Sequence, residues 1–130
     1  MLQKRYRLRH RSDVQRVRRQ GQRLRHPLAI LLVSRAPVVG DEMSGIAEKN
    51  GRTPSRFAFV ASRRVGPAVA RNRAKRLLRE ALRAKVNDIQ PGWDGILIAR
   101  QGTASASMPE VEEAVAALLS RAKILVPQLT

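Results

Sequence analysis

The run Ala68-Val69-Ala70-Arg71-Asn72-Arg73-Ala74-Lys75-Arg76-Leu77-Leu78-Arg79-Glu80-Ala81-Leu82-Arg83-Ala84-Lys85-Val86 decides the architecture. Read at about 100° per residue, Ala74, Leu77, Leu78 and Ala81 form one apolar stripe, with Leu82 at its margin. That stripe must face a sheet. Asn72, Lys75, Arg76, Arg79 and Arg83 fall on roughly the opposite side, spread over about 100° of arc. Arg71 and Arg73 flank the helix start, and Arg63 and Arg64 end the segment before it. Cations about 5–6 Å apart along the i, i+4 direction approximate the separation of successive backbone phosphates. A merely solvated helix usually alternates signs to gain i, i+4 pairs. Here Glu80 is the only acid, well round from the centre of the basic row. The pattern points to a helix fixed to a core and turned toward nucleic acid. Asn72 is either a simple helix-entry residue or a neutral donor and acceptor for a sugar hydroxyl or base edge.

Outward from this helix, the other elements follow from periodicity. Residues 56–62 alternate, with Phe57, Phe59 and Ala61 on one face and Ala58, Val60 and Ser62 on the other. Gly66-Pro67 breaks the chain before the helix, and Pro91-Gly92 turns into a strand over 95–100. A short strand over 22–25 and a stronger one over 28–35 precede these. A first helix is expected from Ser12, whose hydroxyl would cap the free amides with Gln15 three residues on, and Gly21 suits a left-handed stop. Ser107 and Glu110 form a second cap pairing. It opens a closing helix to about residue 126 with Val111, Val115, Leu118, Leu119 and Ala122 on one face. Residues 1–11 read as a basic arm, and 37–54, with Gly40-Asp41 and Asn50-Gly51, as a flexible surface excursion. The order α-β-β-β-α-β-α predicts one α+β domain over 1–130, a small two-layer sandwich with a four-stranded sheet and three helices.

The chain has 130 residues and a formal net charge of +16, with 21 arginines and 5 lysines against 10 acids. The excess is not spread. Residues 1–25 carry +9 and residues 63–85 carry +8, leaving −1 for everything else. Clustered like charges repel and destabilise a compact state, so an outside polyanion is implied. Arginine favours phosphate, which its planar guanidinium grips through two hydrogen bonds. A membrane surface fits poorly, because no strongly apolar helix face accompanies the charge.

Other chemistries find little support. Cysteine is absent, which removes disulfides, thiolate metal sites and a thiol nucleophile, and suits a reducing, cytoplasmic setting. The longest aliphatic run is six residues, too short to span a bilayer. The basic start is not followed by the apolar segment of a secretory signal, while an Arg-rich presequence stays open on composition. His10 and His26 each stand next to or near an arginine and read as basic surface rather than metal ligands or catalytic groups. No phosphate-loop or zinc-protease pattern occurs. The residues alone describe a small RNA- or DNA-binding domain with no active site or metal site of its own. A structural RNA-binding protein of ribosomal type and a DNA architectural protein are the alternatives, the latter lacking an apolar wedge in a basic groove-binding element.

The stretch Ser62-Arg63-Arg64-Val65-Gly66-Pro67-Ala68-Val69-Ala70-Arg71-Asn72-Arg73-Ala74-Lys75-Arg76-Leu77-Leu78-Arg79-Glu80-Ala81 closely resembles the protein subunit of bacterial ribonuclease P. That family carries a basic S-[KR]-[KR]-x-G strand end running into an R-N-R-x-K-R-L-x-R-E helix. The resemblance extends to Tyr6-Arg7-Leu8, the helix over 13–21, the strand Asp94-Gly95-Ile96-Leu97-Ile98-Ala99-Arg100 and the acidic start of the final helix, but not to 37–54. It implies a ribonucleoprotein endonuclease that removes the 5′ leader from precursor tRNA, in which the catalytic RNA subunit holds the metal ions, Mg2+. The protein would be monomeric in a 1:1 complex with that RNA, and the connection from third strand through central helix to fourth strand would be left-handed.

By the same resemblance, Arg63, Arg64, Arg71, Asn72, Arg73, Arg76 and Arg79 match positions of RNA contact, and Lys75 matches one near the leader path. Arg83 joins them from the basic row read above. The leader cleft would lie between the first helix and the sheet, with Val14, Arg18, Ile30, Leu32 and Val60 along it. Family members usually place aromatics there, but the matching positions in this chain are Val14, Arg18, Ala29 and Leu32. Either aliphatic contact plus the Arg18 guanidinium takes over from base stacking, or Val14 and Leu32 are ordinary core residues and leader binding is weak.

Overall fold

The structure is a computed structural model, and it describes residues 2–36 and 54–125. Within them the order is α1 (Arg11–Gln20), β1 (Gln22–His26), β2 (Ala29–Arg35), β3 (Arg56–Val60), α2 (Ala68–Arg83), β4 (Trp93–Ala99) and α3 (Met108–Arg121). The strands form one sheet in the order β1-β2-β4-β3. β2 pairs antiparallel with both β1 and β4, and β3 pairs parallel with β4. Parallel neighbours need a crossover, and α2 supplies it. The expected excursion over 37–54 lies outside the described residues except for Pro54, which is buried.

Strand alternation sorts the sheet into two faces. Ala29, Leu31, Val33, Phe57, Leu97 and Ala99 meet Ala74, Leu78, Ala81 and Leu82 of α2 and Val111, Val115, Leu118 and Leu119 of α3 in the main core. Each large aliphatic or aromatic side chain buried there contributes roughly 1.5–3 kcal/mol. On the other face Leu32 and Ile96 pack with Val17 of α1 and Leu8 of the arm. Two helices therefore build the second layer of the sandwich, and α1 alone crosses the opposite side.

Gly95 is required by packing: a Cβ there would lie 2.7 Å from the Phe57 ring. Gly95→Ala is expected to cost about 1–3 kcal/mol by overpacking, read as a lowered urea midpoint. An unchanged midpoint would show that the ring has room to move. Gly66, at φ 141°, needs glycine for its backbone conformation and delivers the chain into α2.

Several boundaries differ from the sequence reading. α1 begins at Arg11 with His10 at its N-cap and no side-chain cap, so Ser12 lies inside the helix. Gly21 is not a left-handed stop, since its φ is −72°. It is glycine because a Cβ would come within 2.4 Å of the Val17 carbonyl oxygen where helix and strand turn tightly together. In α2 the stripe is rotated: Leu82 is fully buried and Leu77 only half-buried, because α3 packs on the Leu82 side along with the sheet. α2 ends at Arg83 and Val86 opens a 3-10 turn. β3 stops at Val60, leaving the Ser62 hydroxyl to accept from the Arg64 amide. α3 ends at Arg121, with Ala122 as its C-cap, while residue 126 is outside the described part.

The cap pairing at α3 holds. Glu110 N donates to Ser107 Oγ at 3.3 Å, and Ser107 N donates to Glu110 Oε1 at 2.9 Å. The bond from the Ser107 amide, with a smaller contribution from the Ser107 side chain, favours the carboxylate and holds Glu110 below the usual glutamate range. A depressed pKa means the contribution is complete above the ordinary value and is lost as pH falls through the lowered one. In Ser107→Ala the Glu110 midpoint, followed by NMR, should rise only part of the way to the ordinary value, because alanine keeps the backbone amide that is the larger cause. A full return to the ordinary value would show that the hydroxyl and not the amide sets the depression.

Candidate nucleic-acid interface

The α1 face of the sheet is built of three rungs fixed by strand register. The first joins Ser34, Asp94 and Arg56. Next come Arg23, Leu32, Ile96 and Ala58, then Arg25, Ile30, Ile98 and Val60. A polar end thus passes through a buried middle to an open aliphatic end.

The polar end is an ion cluster that sequence reasoning missed. Asp94 is fully buried. Arg56 grips it with two bonds, Nε to Oδ1 at 3.1 Å and Nη2 to Oδ2 at 3.0 Å. Arg16 of α1 donates from Nη2 to Asp94 Oδ2, and from Nη1 to Ser34 Oγ at 3.0 Å and the Arg35 carbonyl at 3.2 Å. Asp13 lies 3.5 Å from Arg16 and 3.6 Å from Arg56. Two guanidinium groups offset the desolvation of a buried carboxylate, which alone would be strongly unfavourable. Two of the 26 cations are therefore internal ties. The signal was present in the sequence: an acid stands inside the otherwise apolar strand Trp93–Ala99.

At the open end Ile30, Ile98 and Val60 stay half-exposed, while Leu32 is only 5% exposed and belongs to the core. Val14 is half-buried against the same cluster, and Arg18 is exposed. Ala29 faces the main core and takes no part in this floor. A recess of about 740 Å³ opens beside the third rung, lined by Pro27, Ile30, Ser62, Arg64, Ile98 and Arg100 among others. Thr103 anchors the loop after β4 by donating to the Leu28 carbonyl at 2.6 Å and accepting from the Arg100 amide at 2.9 Å. Arg100 and Arg25, both exposed, so bound the floor together with Arg64.

Helix α2 presents its cations from the other layer. Asn72, Arg73 and Arg76 are exposed, and Arg71, Lys75 and Arg79 are half-buried. Arg71 Nε is buried with no hydrogen-bond partner among the described residues. Arg73 is partly engaged, its Nε donating to the Ala104 carbonyl at 2.8 Å. Arg83 pairs with Glu80 at 3.2 Å, so that acid is less remote from the row than the helical projection implied. An exposed pair of this kind contributes only about 0.2–1 kcal/mol and yields readily to a phosphate. Arg63 and Arg64 stand exposed on the turn before α2. Lys75, the one α2 residue expected along the cleft, is on the helix that packs against the opposite face from Val14, Ile30 and Val60.

The two basic blocks meet at the free edge of β3. Leu8 N donates to the Phe57 carbonyl at 2.9 Å, and Arg7 bridges to Phe57 in parallel register. The arm covers an edge that would otherwise invite pairing with another chain. Arg7, Arg9 and Arg79 line a groove of about 340 Å³ there, and the Arg79 guanidinium lies 5.5 Å from the Phe59 ring centroid. His26 Nδ1 accepts from the Leu28 amide, a turn contact. Among the described residues no group of three or more His, Cys, Asp or Glu is placed to hold a metal ion. Among them, too, no helix is long and apolar enough to cross a membrane.

Comparison with known proteins gives the same outline. The ribonuclease P protein component of Herpetosiphon aurantiacus is 37% identical over 123 residues, covering 95% of this chain and 89% of that protein. That of Symbiobacterium thermophilum is 36% identical, covering 95% and 96%. The RNase P protein of Thermotoga maritima, solved with 1-(4-fluorophenyl)-2-thiourea, superposes with a TM-score of 0.69 at 28% identity, covering 88% of this chain and 98% of that one. The Staphylococcus aureus RNase P protein shares the fold, with a TM-score of 0.71 at 23% identity over 92% and 97% of the two chains. The family model described as Ribonuclease P matches residues 2–123, and with relatives this similar over nearly full length the chain belongs to the ribonuclease P protein family.

Proposed function

We propose that this protein, the subunit of an endoribonuclease of tRNA processing, binds the catalytic RNA with α2 and holds the 5′ leader of precursor tRNA on the α1 face of the sheet. RNA contact is assigned to Arg63, Arg64, Arg71, Asn72, Arg73, Lys75, Arg76, Arg79 and Arg83. The leader path takes Val14, Arg18, Ile30 and Val60, with Leu32 supporting it from beneath, and Lys75, on the opposite layer, stays with the RNA-facing cations of α2. The complex is one protein to one RNA. The observation that carries the leader assignment is the open third rung: half-exposed Ile30, Ile98 and Val60 lie between Arg25, Arg64 and Arg100. Aliphatic side chains meet sugars and base faces, and guanidinium groups meet phosphates or stack on bases.

Catalysis is assigned to the RNA, which holds Mg2+ by its own oxygens. Among the described residues the fully buried carboxylate, Asp94, is occupied by two guanidinium groups. When bound, Mg2+ supplies charge neutralisation at the reacting phosphate. The protein supplies affinity and register.

The test is a leader-length series bound to the reconstituted holoenzyme. Precursor tRNA should bind more tightly than mature tRNA, and the gain should fall with salt, because without an aromatic floor it lacks the roughly 1–3 kcal/mol per base of ring stacking. Equal affinity for both forms would remove the leader assignment.

A further inference from the structure

We propose that Asp94 is a positioning residue for the leader, setting the gap between α1 and the sheet through Arg16. The inference rests on the leader path assigned above. Asp94 stands on the same sheet face as Ile96 and Ile98, two and four residues further along β4. It is in register with Ser34 on one side and Arg56 on the other. Arg16 therefore ties α1 at once to β2, through Ser34 and the Arg35 carbonyl, and to β4, through Asp94. The remaining grip of α1 on this face is a small aliphatic cluster around Val17 and the longer Asp13–Arg56 ion pair at 3.6 Å. Apolar contact is non-directional and lets a helix roll or slide, whereas a guanidinium fork bonded to three fixed acceptors defines one seat. Val14, the α1 residue that borders the open floor, is one residue from Asp13 and two from Arg16. Any loosening of the ionic end reaches the floor through Val14.

Arg56 has a different part. It neutralises Asp94 from within the sheet, so the carboxylate keeps a two-bond partner when Arg16 is removed. Arg16→Met is thus the variant that removes the three-bond seat of α1 without leaving a buried charge unpaired, and Asp94→Asn is its counterpart.

The experiment measures the affinity of reconstituted holoenzyme for precursor and for mature tRNA, alongside the affinity of the full-length protein for the catalytic RNA. In Arg16→Met the preference for precursor over mature tRNA should fall about tenfold, the scale expected when a binding wall shifts by a fraction of an ångström to an ångström. Asp94→Asn should do the same. The double variant should lose no more than either alone, and Arg16→Lys should recover only part, since an ammonium cannot fork across the three acceptors. Affinity for mature tRNA and for the catalytic RNA should hold. Retained discrimination in Arg16→Met, with wild type still preferring precursor, would overturn the inference and leave the leader path standing. Equal loss of catalytic-RNA affinity would also overturn it, by making the cluster a stability element alone. A wild type without any preference for precursor would fail the leader path itself, and this inference with it.

Discussion

Phe57→Ala is expected to destabilise the protein by about 3–5 kcal/mol, the range for removing a large aromatic from a packed core. Phe57 is 1% exposed and is the largest of the fully buried side chains. Its ring fills the space that Gly95 leaves open on the neighbouring strand. Removing the ring leaves a cavity, whose cost is added to the transfer term. A domain with an ordinary margin of about 5–15 kcal/mol would lose a large part of it. Leu78→Ala, also at full burial, should cost about 2–5 kcal/mol, and half-buried Leu77→Ala clearly less. Urea denaturation of the three variants checks the order. A loss below about 1 kcal/mol for Phe57→Ala, or a larger loss for Leu77 than for Leu78, would contradict the packing described.

The second large effect is on RNA. Arg76→Ala and Arg79→Ala should each reduce the slope of log affinity against log salt by roughly 0.7–0.9, one released counterion per lost phosphate contact, and the pair together by roughly 1.4–1.8. Arg76 is exposed, and Arg79 sits where the arm and α2 meet above Phe59. Arg16→Met and Arg56→Met provide the contrast: both side chains are bonded to Asp94 and only 18% and 27% exposed, so their removal should leave the slope for catalytic RNA unchanged. Counting charge alone treats all these arginines alike. If all four variants flattened the slope equally, the division between internal and RNA-facing cations would be wrong.

That division also shows where the sequence stops being readable. The blocks of charge and the apolar stripe of α2 are local patterns, and of the stripe Ala74, Leu78 and Ala81 are buried as read. The α3 cap is equally local, four consecutive residues, and both of its hydrogen bonds are present. Most of what failed depended on contacts outside the local pattern. Arg16 and Asp94 are 78 residues apart, and nothing near either one announces the other. Leu82 replaced Leu77 in the core because α3, not the sheet alone, determines which side of α2 is covered. Gly21 was read as a φ preference when its cause is a steric approach between α1 and its own following strand. Residues 1–11 read only as a basic arm, yet Leu8 bonds to the edge of β3 some fifty residues later, and that contact is what brings the two charged blocks together. Of the cleft residues, the family resemblance put Ile30 and Val60 on one face, and both pack against the same cluster. Only packing could separate them from Leu32, which lies on the same face but under cover.

Reconstitution tests the central claim most directly. The purified protein is added to a bacterial-type catalytic RNA at low Mg2+, and cleavage of a precursor tRNA is followed at the leader junction. Stimulated release of the leader, saturating at one protein per RNA and lost in the Arg76, Arg79 double variant, is the predicted result. Cleavage that stays at the level of the RNA alone, whatever the protein concentration, would contradict the account.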